Sequence, residues 1–160
     1  MRSAEQSSGF TLIEVLLTIL LISILVAVVI PQFMNLGNDA KTAVTTDRMN
    51  SLKAAIVGDA RFNTAGQLTK LGFEINCTGL PSSLTDLITQ PTSGNCASAY
   101  NPFTKQGWRG PYVSTTDPNW NKDAWGTAIQ YFNTGPPART LRSCGPDLVC
   151  GTADDITITF

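Results

Sequence analysis

Apolar and polar residues fall into three regimes along this chain. From Phe10 to Ile30 nearly every position is apolar, and Glu14 is the one ionisable residue. A run of about 20 such residues is long enough to cross a bilayer as a helix. Beyond Pro31 polar residues enter at regular intervals. Met49, Leu52, Ile56 and Ala60 recur at three- and four-residue spacing, as do Leu36, Ala40 and Val44 before them. Asp39, Lys41, Asp47, Arg48, Lys53 and Asp59 fall mostly between. That period predicts an amphipathic helix. One helix is therefore expected from about Phe10 to about Phe62, greasy all round in its first half and one-faced in its second. Pro31 lacks a backbone donor and should kink or locally open it. Gly37 is a second weak point.

Asn63 to Gly66 ends this pattern. From there to about Trp125, Gly, Pro, Ser, Thr and Asn are frequent and loops are expected. A short helix is predicted at Ser82–Ile88, capped by Ser82 or Ser83, with Leu84, Leu87 and Ile88 as its apolar face. Trp108, Tyr112, Trp120 and Trp125 read as anchors of a small core. The last third predicts strands at Ala128–Phe132, Arg139–Cys144 and Ile156–Phe160, the first closed by Gly135-Pro136-Pro137. In the third, Ile156, Ile158 and Phe160 alternate with Thr157 and Thr159, as in a half-buried strand. Three antiparallel strands laid on the amphipathic half of the helix would bury both apolar faces. The expected fold class is α+β.

Composition narrows the function. The chain has 160 residues and a net charge of -1. That is enough for one domain, and it offers no electrostatic footprint for nucleic acid. Histidine is absent, which removes the commonest general base and metal ligand and every Ser-His or Cys-His nucleophile. With no phosphate-binding glycine loop either, an enzyme is not expected. The four cysteines, Cys77, Cys96, Cys144 and Cys150, all follow the apolar run and form no C-x-x-C. An even set without histidine favours disulfides over zinc and an oxidising compartment. Local pairing favours Cys77–Cys96 and Cys144–Cys150, though four cysteines allow three connectivities. The cysteines place the N-terminus in the cytoplasm and the rest across the membrane.

Two clusters carry candidate chemistry. A carboxylate in lipid costs about 2.5–3.5 kcal/mol at a helix centre and less near an end, so Glu14 is a functional residue in want of a partner. Asp147, Asp154 and Asp155 fall within nine residues, among Gly145, Gly151 and Thr152. Calcium takes six to eight oxygens, mixing carboxylates with carbonyls, and a glycine-rich loop can turn its carbonyls inward. The competing reading is a polar turn whose Asp side chains cap their own backbone. The Asp-x-Asp-x-Asp-Gly register of an EF-hand is missing.

Ser8-Gly9-Phe10-Thr11-Leu12-Ile13-Glu14-Val15, joined to the apolar run and Pro31, resembles the processing site of the type IV pilin and pseudopilin family. The resemblance implies that prepilin peptidase cuts after Gly9 and that the new terminus, Phe10, is N-methylated. It implies that Glu14 pairs with the N-terminal amine of a neighbouring subunit. The pairing is physically sound. Phe10 and Glu14 are four apart and share a helix face, and a freed amine with a reference pKa of about 8 is cationic near neutral pH. Pairing removes an uncompensated buried charge, whose penalty is several kcal/mol.

Further along, Gly107-Trp108-Arg109-Gly110-Pro111-Tyr112-Val113, Asp123-Ala124-Trp125-Gly126 and Ile129-Gln130-Tyr131 resemble the major pseudopilins of type II secretion. Ala124 stands where that family usually has proline. Ser143 to Asp147, continued through Asp154-Asp155-Ile156, resembles its calcium loop. This implies that the carbonyls of Cys144 and Thr152 join the carboxylates of Asp147 and of Asp154 or Asp155. The cysteine pairs and the insertion near residues 66–105 depart from the family pattern.

The expected organisation is a leader at 1–9, a membrane or filament-core helix at 10–30, an amphipathic half at 31–65 and a globular head at 66–160, in a type IV pilin-like fold. The expected function is a homo-oligomeric helical filament subunit, foremost of the type II secretion pseudopilus. Alternatives are a type IV pilus subunit for adhesion, motility or DNA uptake, and a membrane-anchored binding protein. Expected partners are prepilin peptidase and an inner-membrane assembly platform. The precursor would sit in a bacterial inner membrane with its head in the periplasm, the filament in the periplasm or outside the cell.

Overall fold

The structure, a computed structural model, describes residues 10–59, 63–64, 67–68, 71–94, 96–134 and 139–160. The expected leader at 1–9, with Gly9, lies outside them, as does the Gly135-Pro136-Pro137 turn. The fold is α+β, a long helix and a small antiparallel sheet. The chain falls into two units that meet between Asp39 and Ala40.

Helix α1 runs from Leu12 to Val57. Its backbone continues through Pro31 and Gly37, so neither interrupts it. A proline removes one hydrogen bond from the ladder and leaves the flanking ones to hold the turn. The helix stops at Val57, short of the expected Phe62. Gly58 follows with φ 97°, and its N–H closes the last turn on the Ala54 carbonyl at 2.9 Å. A glycine in the left-handed region just past a helix is a strong stop. Residues 60–62, including Ala60 of the expected stripe, lie outside the described residues.

In the unit ending at Asp39, every described side chain is exposed. Leu36, Ala40 and Val44 are exposed too, so the expected earlier stripe is not buried among the described residues. The buried face of α1 begins at Thr45 and continues through Met49, Leu52, Ala55 and Ile56. The apolar ones share one core with Phe73, Leu87, Ile129 and Leu141.

Strands β3 (Gln130–Phe132), β4 (Thr140–Ser143) and β5 (Ile156–Thr159) form a three-stranded antiparallel sheet in that order. Tyr131, Leu141 and Ile158 stand opposite one another and pack into or against the core. On the other face the row is Gln130, Arg142 and Thr157. There Arg142 donates to the Gln130 side-chain oxygen at 2.6 and 3.0 Å and lies 5.1 Å over the Phe132 ring. The strands come within a residue or two of the expected ones. Trp108, Tyr112 and Trp120 pack against the core as expected, whereas Trp125 lies half-buried outside that cluster.

The loop-rich middle contains more structure than its composition suggests. A two-residue hairpin pairs β1 (Asn63–Thr64) with β2 (Gln67–Leu68). A one-turn helix, α2, follows at Phe73–Cys77. Gly72 opens it against the end of α1, where an added Cβ would lie 2.5 Å from the Ile56 carbonyl oxygen. The expected helix at 82–88 is a 3-10 turn, Leu84–Leu87, with a reciprocal Ser83–Asp86 capping box. Its four residues suit a 3-10 turn, since so short a segment gains little from α geometry. Cys77–Cys96 and Cys144–Cys150 are both bonded.

One buried carboxylate ties these parts together. Asp123 is 2% exposed. Its Oδ1 accepts from the N–H groups of Trp125 (3.0 Å) and Thr127 (2.8 Å), and its Oδ2 from the Ser143 hydroxyl (2.7 Å). The Ala124 N–H donates to the buried Thr45 hydroxyl of α1 at 3.0 Å. The Asp123–Gly126 turn thus fastens the sheet's central strand to the helix. Ala124 still keeps its backbone N–H in use, a bond proline could not make.

Candidate functional site

The N-terminal segment is built to begin a helix in a nonpolar medium. The Glu14 N–H reaches the Thr11 carbonyl (3.1 Å) and hydroxyl (3.3 Å), which makes Thr11 the cap of α1. Glu14 then sits at the third helical position, the acidic place of a Thr-x-x-Glu start. A carboxylate there is favoured by the positive end of the helix dipole. Among the described residues its side chain has no ion-pair partner, and Phe10, four residues earlier, is 84% exposed. Leu12–Val29 has a mean hydropathy of 3.0 and none of it is buried within the chain. The hydroxyls of Thr18 and Ser23 bond back to the carbonyls of Val15 (2.8 Å) and Ile19 (2.7 Å). The hydroxyls of Thr18 and Ser23 are therefore satisfied without water, as a lipid or a helix bundle requires. So large an apolar surface demands a cover from outside the chain.

The second site is the loop between β4 and β5. Cys144–Cys150 closes it at one end. Gly145 takes φ 68° with its α-carbon against the Asp154 backbone, where a side chain would collide. Asp154 receives the Asp147 N–H on Oδ2 (3.2 Å) and the Thr152 hydroxyl on Oδ1 (2.7 Å). The Thr152 hydroxyl holds the Asp154 carboxyl below the usual carboxylate range. Asp147 Oδ1 accepts from the Val149 N–H at 2.8 Å.

Asp155 turns elsewhere. Its Oδ2 accepts from the Gly151 N–H (2.8 Å) and lies 3.8 Å from Arg142 Nε. Its Oδ1 is buried and has no hydrogen-bond partner among the described residues. The loop therefore brings Asp147 and Asp154 together and sets Asp155 against the sheet. The Thr152 carbonyl takes the Asp155 N–H at 3.5 Å, closing a turn. Among the described residues no three acidic or cysteine side chains converge as a metal shell. For calcium, the donor set fits in kind: oxygen ligands only, with the Asp154 carboxylate held on the Asp147 backbone and the Asp155 Oδ1 beside the sheet left unsatisfied. A cation would take its remaining oxygens from the backbone.

Asp123 and Thr45 were not evident as site-supporting residues from the sequence. An Asp two residues before Trp125 and four before Thr127 is an ordinary turn signal. Only the folded chain brings Ser143 and Thr45 to it.

Comparison with known proteins bears on both ends of the chain. Residues 6–30 match the model of the prokaryotic N-terminal methylation motif, and residues 32–159 match that of type II secretion system protein G. The chain is 29% identical to the type II secretion system core protein G of Pseudomonas aeruginosa, over 94% of this chain and 92% of that one. It is 29% identical to the protein of that name in Escherichia coli (98% and 94% covered). Identity to the Vibrio cholerae protein is 27% (98% and 94% covered). No solved structure gives a significant match.

Proposed function

The chain belongs to the type II secretion system protein G family, and from that premise we propose how it becomes part of a filament. It is a structural subunit of the type II secretion pseudopilus. In our reading the precursor is held in the bacterial inner membrane by Leu12–Val29, with its N-terminus cytoplasmic and its disulfide-bonded head periplasmic. Prepilin peptidase cuts after Gly9, Phe10 is N-methylated, and an inner-membrane assembly platform moves the subunit from lipid into a helical homopolymer. The finished filament stands in the periplasm or beyond. The role is mechanical, not enzymatic.

The observation that carries this reading is the exposed apolar helix with Glu14 in its first turn. Lipid covers such a surface before assembly and neighbouring α1 helices cover it afterwards. In the bundle the Glu14 carboxylate needs a cation, and the freed amine of an axially offset neighbour supplies one. Leaving either charge unpaired there costs several kcal/mol, enough to set the axial register.

The acidic loop adds a metal to this reading. We infer that calcium binds at Asp147 and Asp154, with backbone carbonyls such as those of Cys144 and Thr152 and with Asp155 beside it. Bound there, calcium supplies positive charge that draws the carboxylates together and stiffens the entry to β5. The hold of the Asp147 N–H on the Asp154 carboxylate and the unsatisfied Asp155 Oδ1 support this.

The test of assembly is direct. Mass analysis of the mature N-terminus should find methylated Phe10, and electron microscopy of sheared material should find filaments. Glu14→Gln should still insert in the membrane and yield few filaments. A mature protein starting at Met1, or normal filament yield from Glu14→Gln, would refute the scheme.

A further inference from the structure

Between Cys96 and Trp108 the chain makes a narrow excursion tied across its whole length. The Trp108 N–H donates to Ser98 O (2.9 Å), Tyr100 N–H to Trp108 O (3.0 Å), Asn101 N–H to Gln106 O (2.7 Å) and Lys105 N–H to Asn101 O (2.8 Å). The Asn101 side-chain oxygen also accepts the Phe103 N–H at 2.9 Å. The base is fixed by the Cys77–Cys96 bond and by the Gly107 N–H on Asn76 O at 2.9 Å. At the tip Phe103 is 95% exposed, more than any other large apolar side chain described. Beside it Lys105 has no ion pair among the described residues. An exposed aromatic on a backbone already held loses only its own rotamer freedom when it docks, and with two χ angles that cost is small, which is the make-up of a binding anchor.

The same head carries a matching hollow. The C-terminal part of α1 and residues 112–120 line a groove of about 330 Å³. Leu52, Tyr112, Val113 and Trp120 give it apolar surface, and Asp47 and Asp117 stand at it as acids. Arg48 pairs with Asp117 at 3.1 Å. Asp47 has no ion pair among the described residues.

We propose that Phe103 of one subunit, with Lys105 beside it, seats in this groove of another subunit in the filament. An apolar tip meets an apolar lining, and a free cation meets a free anion. Knob and hollow are different patches of one chain, so the contact is head-to-tail. Contacts of that kind generate rings or, where the rotation does not close, open helical polymers; they do not form a two-fold pair. The inference rests on the filament reading and adds a contact between heads to the one between helices.

The test uses full-length subunits carrying Phe103→Cys and Ser114→Cys together. Ser114 lines the groove, and the native cysteines are all paired, so the new thiols are the free ones. Mild oxidation of filaments should give a ladder of linked subunits, absent from either single variant. Phe103→Ala should weaken the contact about tenfold or more, the usual effect of losing a buried aromatic anchor. Lys105→Glu should lower filament yield, and adding Asp47→Lys should restore it. Wild-type filaments without a ladder, or Phe103→Ala assembling at wild-type yield, would overturn the proposal. Normal assembly with impaired secretion would assign Phe103 to another protein and overturn it equally. A wild-type chain that forms no filaments would instead refute the filament reading, so the two failures are told apart.

Discussion

Asp123→Ala should be the most damaging single change in the head. The carboxylate is 2% exposed and receives three hydrogen bonds, from Trp125 N–H, Thr127 N–H and the Ser143 hydroxyl, all at 2.7–3.0 Å. Truncation strands three donors. A buried donor left unsatisfied costs about 1–3 kcal/mol. Allowing one to rotate or find water, the loss is about 3–5 kcal/mol, against a total stability of about 5–15 kcal/mol for a domain. Asp123→Asn keeps the Oδ1 acceptor for the two N–H groups and exchanges charge-assisted bonds for neutral ones about half as strong. The Ser143 hydroxyl can turn and accept from the new amide. Its cost should be about half that of the alanine variant. Urea unfolding of the detergent-solubilised chain, followed by tryptophan fluorescence, should show midpoints falling in the order wild type, Asn, Ala, with slopes unchanged. An alanine variant within about 1 kcal/mol of wild type would refute the idea that this carboxylate holds sheet to helix.

Burial pushes the Tyr131 hydroxyl up from 10.0 to about 12, the Arg139 charge opposing, and the oxygen has no partner among the described residues. The folded chain thus keeps a proton that the unfolded chain releases. The associated stability is fully present below pH 10, declines as pH rises, and is lost above about 12. Tyr131→Phe should flatten that alkaline slope and be neutral or stabilising at pH 7; a lower melting temperature would contradict this. Gly72→Ala should cost about 1–3 kcal/mol by overpacking, because the new methyl lies 2.5 Å from Ile56 O and 2.6 Å from Val57 C; an unchanged melt would show that α2 simply shifts. Calorimetry should detect calcium binding, lost in Asp154→Ala, with a lower melting temperature in chelator; absence of heat in the wild type would withdraw the metal.

Much of this molecule could be read before it was folded. A spanning run with one acid needs no tertiary information, because lipid imposes length and composition on each segment separately. The strands near 130, 140 and 156 announced themselves through period two and glycine or proline boundaries. The sequence also pointed to both disulfides through locality alone. What escaped was set by neighbours. The helix end moved to Val57 because Gly58 could take a left-handed turn, a property the apolar periodicity across it conceals. Leu36 and Val44 have the spacing of a core stripe, yet among the described residues the buried face of α1 begins at Thr45.

The acidic loop divides the same way. Three aspartates and two glycines marked it in the sequence, but nothing in their order said which carboxylate would hold the loop's backbone. The collision that a side chain at Gly145 would make with the Asp154 backbone, and the pull of Arg142 on Asp155, are consequences of strand register. So the chain by itself determined what must be hidden from water: a greasy helix, one face of its continuation, alternate faces of three strands. The tertiary structure decided which polar groups answer one another, Asp123 with Ser143, Asp154 with Asp147, Arg139 with Glu74. Burial depends on the local frequency of apolar residues, which can be counted along a line. Hydrogen bonds and ion pairs depend on atoms within a few ångströms, and that proximity exists only once the chain has closed.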